Sequence, residues 1–204
     1  MSKANKSNKA IKYRLYPNDE QKVMFAKTFG CCRFVYNQLL ALQKQRYKDG
    51  ESHLSKLKSN EFATRTLKKD YDFLKEIDKF AVSNAVFHLA DAYDRFFKKQ
   101  NHFPKFKSKR KSKKSYTTNF TNNNILIGKN VIKLPKVGMV KAVIHKLPKD
   151  DWKLKSVTVS QDSVGNYFAS VLFEYEQEDI PSVSKSSTNA IGLDYKSDGL
   201  YMDS

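Results

Sequence analysis

Residues Ala10-Ile-Lys-Tyr-Arg-Leu-Tyr16 alternate strictly, with Ile11, Tyr13 and Leu15 on one side and Lys12 and Arg14 on the other. That is the pattern of a half-buried strand with a basic outer face. No second run of this kind follows for more than a hundred residues. A lone strand cannot satisfy its backbone or cover its apolar face, so it must join a sheet built from distant sequence. Period-two segments return only beyond residue 130, at Val131–Leu134, Met139–Lys146, Ser156–Ser160 and Tyr167–Tyr175. Asp162-Ser-Val-Gly-Asn166 reads as the turn that folds the last two into a hairpin. Everything between the first strand and this sheet is an insertion.

The insertion reads as helical. Pro17 ends the strand and Asn18 can cap a helix over Asp19–Thr28. Gly30 reads as an interruption, followed by a longer helix from Cys31 to Tyr47 with Val35, Tyr36, Leu39, Leu40 and Leu42 on a wide apolar stripe. Residues 60–75 form a further helical segment. In residues 79–100, Val82, Val86, Leu89, Tyr93 and Phe97 recur at helical spacing behind an Asp78 cap, which leaves Lys79 at a helix N-terminus suited to a phosphate or a groove. The expected fold is α+β: an OB-like β-barrel with a helical insert, a type common among nucleic-acid binders.

Charge gives the function class. The chain of 204 residues carries a formal net charge of +17, and residues 150–204 are net acidic, so the excess lies before residue 150. Such a charge attracts polyanions. Lys98–Lys114 contains nine Lys or Arg and no acid, interleaved with Phe103 and Phe106. Lys105, Lys107, Lys109, Arg110 and Lys111 are therefore candidates for contact with a phosphate backbone, which supplies affinity without sequence preference; the alternative is a solvated loop. Tyr116-Thr-Thr-Asn-Phe-Thr-Asn-Asn-Asn124 offers hydroxyls and amides to base edges, or is simply a turn. Glu176 to Asn189 reads as a linker, and Ala190-Ile-Gly-Leu-Asp194 as a short apolar strand ending in a carboxylate. No apolar run reaches the ~20 residues of a membrane span, and no secretory leader is visible. Cys31 and Cys32 are adjacent and suit core packing in a reduced, cytoplasmic protein. No CxxC or HxxxH spacing suggests zinc.

Several motifs together resemble a known family. Leu15-Tyr-Pro-Asn18 and Gly30-Cys-Cys-Arg-Phe-Val-Tyr-Asn37 are followed by Asp78-Lys-Phe-Ala81, Phe103-Pro-Lys-Phe106, Phe120-Thr-Asn-Asn-Asn124 and Lys133-Leu-Pro-Lys136. Their order and approximate spacing are similar to those of TnpB proteins of insertion sequences. Gly192-Leu-Asp194 with Asp198-Gly199-Leu200 resembles the opening of that family's RuvC nuclease domain, of RNase H fold.

The resemblance implies a wedge barrel made of residues 1–16 and 103–178, a helix-turn-helix-like recognition insert at 17–102, a linker at 179–189 and the start of a RuvC domain at 190–204. It implies guide RNA from the transposon end and a double-stranded DNA target as partners. Lys79, Phe80, Thr121 and Asn122 fall where the family reads the motif beside the target, and Ser83 stands where a relative carries glutamine, so the motif read is expected to differ. Asp194 corresponds to the first of three catalytic carboxylates that hold Mg²⁺ in the complete nuclease. The later two and the family's zinc ribbon are not in this sequence, so the expectation is binding without cleavage. A nuclease-dead repressor and a general RNA-binding protein of ribosomal type are the rival readings.

Overall fold

The computed structural model describes residues 5–177, 193–196 and 199–203. Strand β1 (Asn5–Tyr16) leads into helix α1 (Asp19–Lys48). Next come α2 (Lys56–Glu61), a π-helical stretch at Phe62–Leu67, the single turn α3 (Lys68–Asp70) and a 3₁₀ turn at Asp72–Lys75. Helix α4 (Lys79–Phe97) closes the helical part. Strands β2 (Lys114–Asn119), β3 (Leu126–Ile127), β4 (Val131–Leu134), β5 (Gly138–Val143), β6 (Lys153–Gln161) and β7 (Tyr167–Gln177) complete one antiparallel sheet with β1, in the order β2-β6-β7-β1-β5-β4-β3. The chain is thus α+β, and β1 finds its partners where the alternation predicts. It pairs with β7 along most of its length, from Asn5 opposite Gln177 to Leu15 opposite Tyr167, and with β5 at Arg14–Tyr16. Ile11, Tyr13 and Leu15 are buried.

The sheet is curled. Six strand spacings of ~4.8 Å would put the edges β2 and β3 about 29 Å apart if it were flat. Only residues 120–125 join those edges, and an extended chain from Asn119 to Leu126 reaches roughly 23–25 Å. Part of that reach is spent on a turn, closed by Asn124 N–H donating to the Thr121 carbonyl at 3.0 Å. The edges must therefore approach each other.

Helices and sheet share one core. Phe25 of α1 lies 5.4 Å from the Tyr167 ring and 6.3 Å from Tyr116, and Phe29 lies 5.9 Å from Tyr116. Helix α1 lies against α4, where the Cys32 thiol donates to the Ala81 carbonyl at 3.3 Å. The hairpin turn at Asp162–Asn166 forms as its residues demand. Gly165 has φ +97°, and the Asp162 carboxylate accepts from the backbone of Val164 (3.0 Å) and Asn166 (2.7 Å). Among the described residues no helix is long and apolar enough to cross a membrane.

Three local expectations need correction. Gly30 does not interrupt a helix: α1 runs unbroken for 30 residues. Glycine costs a helix interior about 1 kcal/mol against alanine, and the buried Phe29, Cys31 and Cys32 beside it outweigh that. The helical segment expected at residues 60–75 is present, as a series of α, π and 3₁₀ turns. Lys114–Asn119 is a strand, not the end of a loop and the start of a polar turn; Tyr116 and Thr118 point inward from it. The stripe on α4 is buried only as far as Tyr93, and Phe97 is 64 % exposed.

The linker at 179–189 and the run Ala190–Gly192 lie outside the described residues. Beyond them β8 (Leu193–Lys196) and β9 (Gly199–Asp203) pair antiparallel, with Asp194 opposite Met202.

Candidate nucleic-acid interface

Two segments far apart in sequence meet at the N-terminus of α4. Asp78 caps that helix, accepting from Ala81 N–H at 3.2 Å. The same carboxylate oxygen accepts from the Thr118 hydroxyl at 2.6 Å. One turn along, the Asn84 amide donates to the Thr117 carbonyl (3.0 Å) and to the Asn119 side chain (3.2 Å). Asp78 and Thr118 are buried, and hydrogen bonds to a charged, buried group are strong and directional. These contacts fix α4 against β2 and against the turn that follows β2.

That turn is rigid for its length. Asn122 and Asn123 both adopt positive φ, 48° and 55°, a conformation asparagine tolerates better than most residues. The Asn124 side chain holds both ends, accepting from Thr121 N–H at 2.8 Å and donating to the Asn119 carbonyl at 3.0 Å. Thr121 and Asn122 are left exposed.

Between helix and turn lies an open cavity of about 550 Å³. Lys79 and Phe80 line it from α4, Thr121 and Asn122 from the turn, so four of the five expected motif-reading residues share one concavity. Ser83, a turn further along α4, is not in its lining. Lys68 and Lys136 also line it, from α3 and from the β4–β5 turn. Burial, and the like charges of Lys79 and Lys136, hold the Lys68 ammonium below the ordinary lysine pKa, with Asp78 opposing. The walls are thus positively charged and partly desolvated, and the helix dipole adds to that sign at the α4 N-terminus. Sequence reasoning missed Lys68, which carries no local motif, and met Lys136 only within Lys133-Leu-Pro-Lys136, without a site role.

The basic stretch divides. Lys105, Lys109, Arg110 and Lys111 are exposed. Lys107 is not equivalent to them. Its backbone N–H donates to the Asn37 side chain at 2.8 Å, and the Asn37 amide donates back to its carbonyl at 2.9 Å. Its ammonium lies 4.0 Å from the centre of the Tyr36 ring, and burial lowers its pKa, with Cys32 opposing. Lys107 anchors the stretch to α1 while its neighbours face solvent. Asn37 was readable as the odd polar residue beside the apolar stripe of α1.

No group of three or more His, Cys, Asp or Glu side chains among the described residues could hold a metal ion. Asp194 sits on β8, and its side chain lies outside the described residues.

Comparison with known proteins agrees with the motifs. The helix-turn-helix domain family of IS605-type OrfB proteins matches residues 7–52, which here are β1, α1 and the residues just after it. A Streptomyces pristinaespiralis protein named "Putative RNA-guided DNA endonuclease" is 30 % identical over 188 residues, covering 91 % of this chain and 45 % of its own length. The Escherichia coli K12 protein "Putative RNA-guided DNA endonuclease InsQ" is 29 % identical over 192 residues, 91 % of this chain and 44 % of its own. "Virulence protein VsdF" of Salmonella dublin is 32 % identical over 111 residues, half of this chain and 93 % of its own. The chain therefore spans somewhat less than half the length of the two relatives that match nearly all of it. With the motif order, the matched domain and these relatives, the chain belongs to the TnpB family of transposon-encoded proteins.

Proposed function

We propose that this chain is the nucleic-acid-binding portion of a TnpB-type RNA-guided endonuclease, and that the cavity at the α4 N-terminus reads a short DNA motif beside the target. The carrying observation is the convergence of Lys79, Phe80, Thr121 and Asn122 in one positively charged concavity on two elements locked by buried hydrogen bonds. An ammonium and an amide on a rigid frame can contact base edges, whereas flexible side chains on separate loops discriminate poorly. Lys68 and Lys136 would hold the flanking phosphates. The curled sheet would serve as an OB-like wedge barrel, and the exposed cations of Lys105–Lys111 would grip guide RNA or DNA backbone without regard to sequence. In this division of labour, base pairing with the guide reads the target and the protein reads only the adjacent motif.

Under the same reading the β8–β9 hairpin opens a RuvC-type domain, and Asp194 is its first carboxylate. Two-metal phosphodiester cleavage needs several carboxylates that converge on ions ~3.5–4 Å apart. The side chain of Asp194 lies outside the described residues, so no chemical step is assigned to it, and the function proposed here is binding.

The test is selection from a DNA library with a randomised flank, in the presence of the element's own RNA. Lys79→Ala or Asn122→Ala should relax preference at one or two base pairs, by ~1–3 kcal/mol for each base pair no longer read. Identical sequence preferences before and after substitution would remove these residues from the motif site.

A further inference from the structure

At the opposite end of α4, the helix outruns the core. Phe97 is 64 % exposed, and Tyr47, at the matching end of α1, is 85 % exposed. Between the two helix ends lies a cleft of about 580 Å³ walled mainly by rings: Tyr47, His53, Tyr93, Phe96, Phe97 and Phe103. The rings are ordered. Tyr93 and Phe97 lie nearly parallel at 6.2 Å, while Phe103 stands edge-on to Tyr93 (5.6 Å, 87°) and Phe96 (5.2 Å, 84°). His53 meets Tyr93 edge-on at 4.6 Å. A contiguous apolar surface of this kind on a soluble chain marks an interaction site.

Its rim identifies the occupant. Lys44 and Lys48 line the cleft, and the Lys44 ammonium lies 5.4 Å from the Phe103 ring centre and 4.8 Å from that of Phe106. The one carboxylate in the lining, Glu51, is held by Arg46 at 2.5 Å. The cleft also opens onto the start of Lys98–Lys114, which carries nine positive charges and no acid. An apolar helix docked here would have to desolvate those lysines without compensation. A nucleic acid satisfies both halves, with phosphates on the lysines and a base face on the rings.

We propose that this aromatic cleft is a stacking site for an unpaired base of a single-stranded nucleic acid. It is separate from the cavity at the α4 N-terminus, at the other end of the same helix. The proposal rests on the reading of this chain as a nucleic-acid binder, and it adds a base-dependent contact beside the sequence-blind grip of the exposed cations at Lys105–Lys111.

The experiment uses the full chain and three fluorescein-labelled probes of equal length: oligouridylate, oligothymidylate and an abasic ribose-phosphate oligomer. Binding is followed by anisotropy over a range of salt. The parent chain should prefer a base-bearing strand to the abasic one by about tenfold, since stacking contributes roughly that much or more per base. The first two probes tell whether RNA or DNA supplies the base. Tyr47→Ala and Phe97→Ala should each erase most of that preference while leaving abasic affinity and the salt slope unchanged. Both side chains are exposed, so neither substitution should unfold the protein. Tyr47→Phe and Phe97→Tyr keep a ring and should keep the preference. Equal affinity for base-bearing and abasic strands in the parent would overturn the proposal. So would alanine variants that bind as the parent does, whether or not the rings prove to drive self-association in sedimentation. If no probe binds at all, the broader reading of the chain as a nucleic-acid binder fails with it.

Discussion

The Asp78–Thr118 hydrogen bond should couple the stability of the chain to the shape of its candidate motif-reading cavity. Asp78→Ala removes the α4 cap, typically about 1 kcal/mol. It also leaves the Thr118 hydroxyl, which is fully buried, without its acceptor at ~1–3 kcal/mol. The expected destabilisation is ~2–4 kcal/mol. Thr118→Val keeps the cap and the shape of the strand but takes one donor from a buried carboxylate, ~1.5–3 kcal/mol. In the double variant the stranded partner is gone from both sides, so its cost should fall short of the sum by ~1–3 kcal/mol. Asp78→Asn retains an equally good cap and acceptor and should cost far less than Asp78→Ala. Urea denaturation followed by far-ultraviolet ellipticity measures all four, with the m-value checking that the unfolded states are comparable. Additivity within ~0.5 kcal/mol would refute the reasoning, because it would mean that the two side chains do not exchange a hydrogen bond in solution.

Gly30→Ala should stabilise the protein by ~0.5–1 kcal/mol in the same assay, since a β-carbon there meets nothing within 4 Å and α1 is continuous through it; destabilisation would mean that the helix bends or packs at Gly30. Alanine at Lys105, Lys109, Arg110 and Lys111 should weaken binding to all sequences alike and flatten the salt dependence, by about 0.9 for each phosphate no longer neutralised on duplex DNA. Lys107→Ala should instead lower stability and leave that slope alone, because its ammonium packs on Tyr36; a slope change as large as for its neighbours would contradict this. Burial pushes the thiols of Cys31 and Cys32 up to about 11 and about 12. At pH 8 well under ~1 % of either is then thiolate, so alkylation of the folded chain should be slower than of the unfolded chain by orders of magnitude. Comparable rates before and after unfolding would show the α1–α4 packing to be open.

What the sequence made legible follows from which signals are local. The first strand needed partners, and backbone pairing left only the segments past residue 130, so its place in the sheet could be reasoned out. Asp162–Asn166 carried its own turn chemistry. Strand β2 was hidden because its inward residues include Thr118, a buried hydroxyl where an alternating pattern would show an apolar side chain. Gly30 misled for a related reason: glycine weakens a helix through backbone entropy alone, and long-range packing on both sides overrides so small an effect. In each case the deciding energy lay in an interaction with residues from elsewhere in the chain.

The candidate site makes the same point at the level of function. Composition marked Lys98–Lys114 as one basic patch, yet the fold gives its members different work: Lys107 is fastened to Asn37 and Tyr36, and its exposed neighbours are free for phosphates. Conversely, Lys68 carries no motif and Lys79 and Lys136 belong to motifs far apart in sequence; the three line one cavity only because α3, α4 and the β4–β5 turn converge. The motifs of the family named Lys79, Phe80, Thr121 and Asn122 without saying why those positions should act together. The physical reason is the cap. Asp78 joins the start of α4 to β2 through Thr118, and β2 runs directly into the turn that carries Thr121 and Asn122. A cap whose second hydrogen bond crosses to a sheet turns two sequence-distant motifs into one rigid surface, and a rigid surface is what discrimination between base pairs requires.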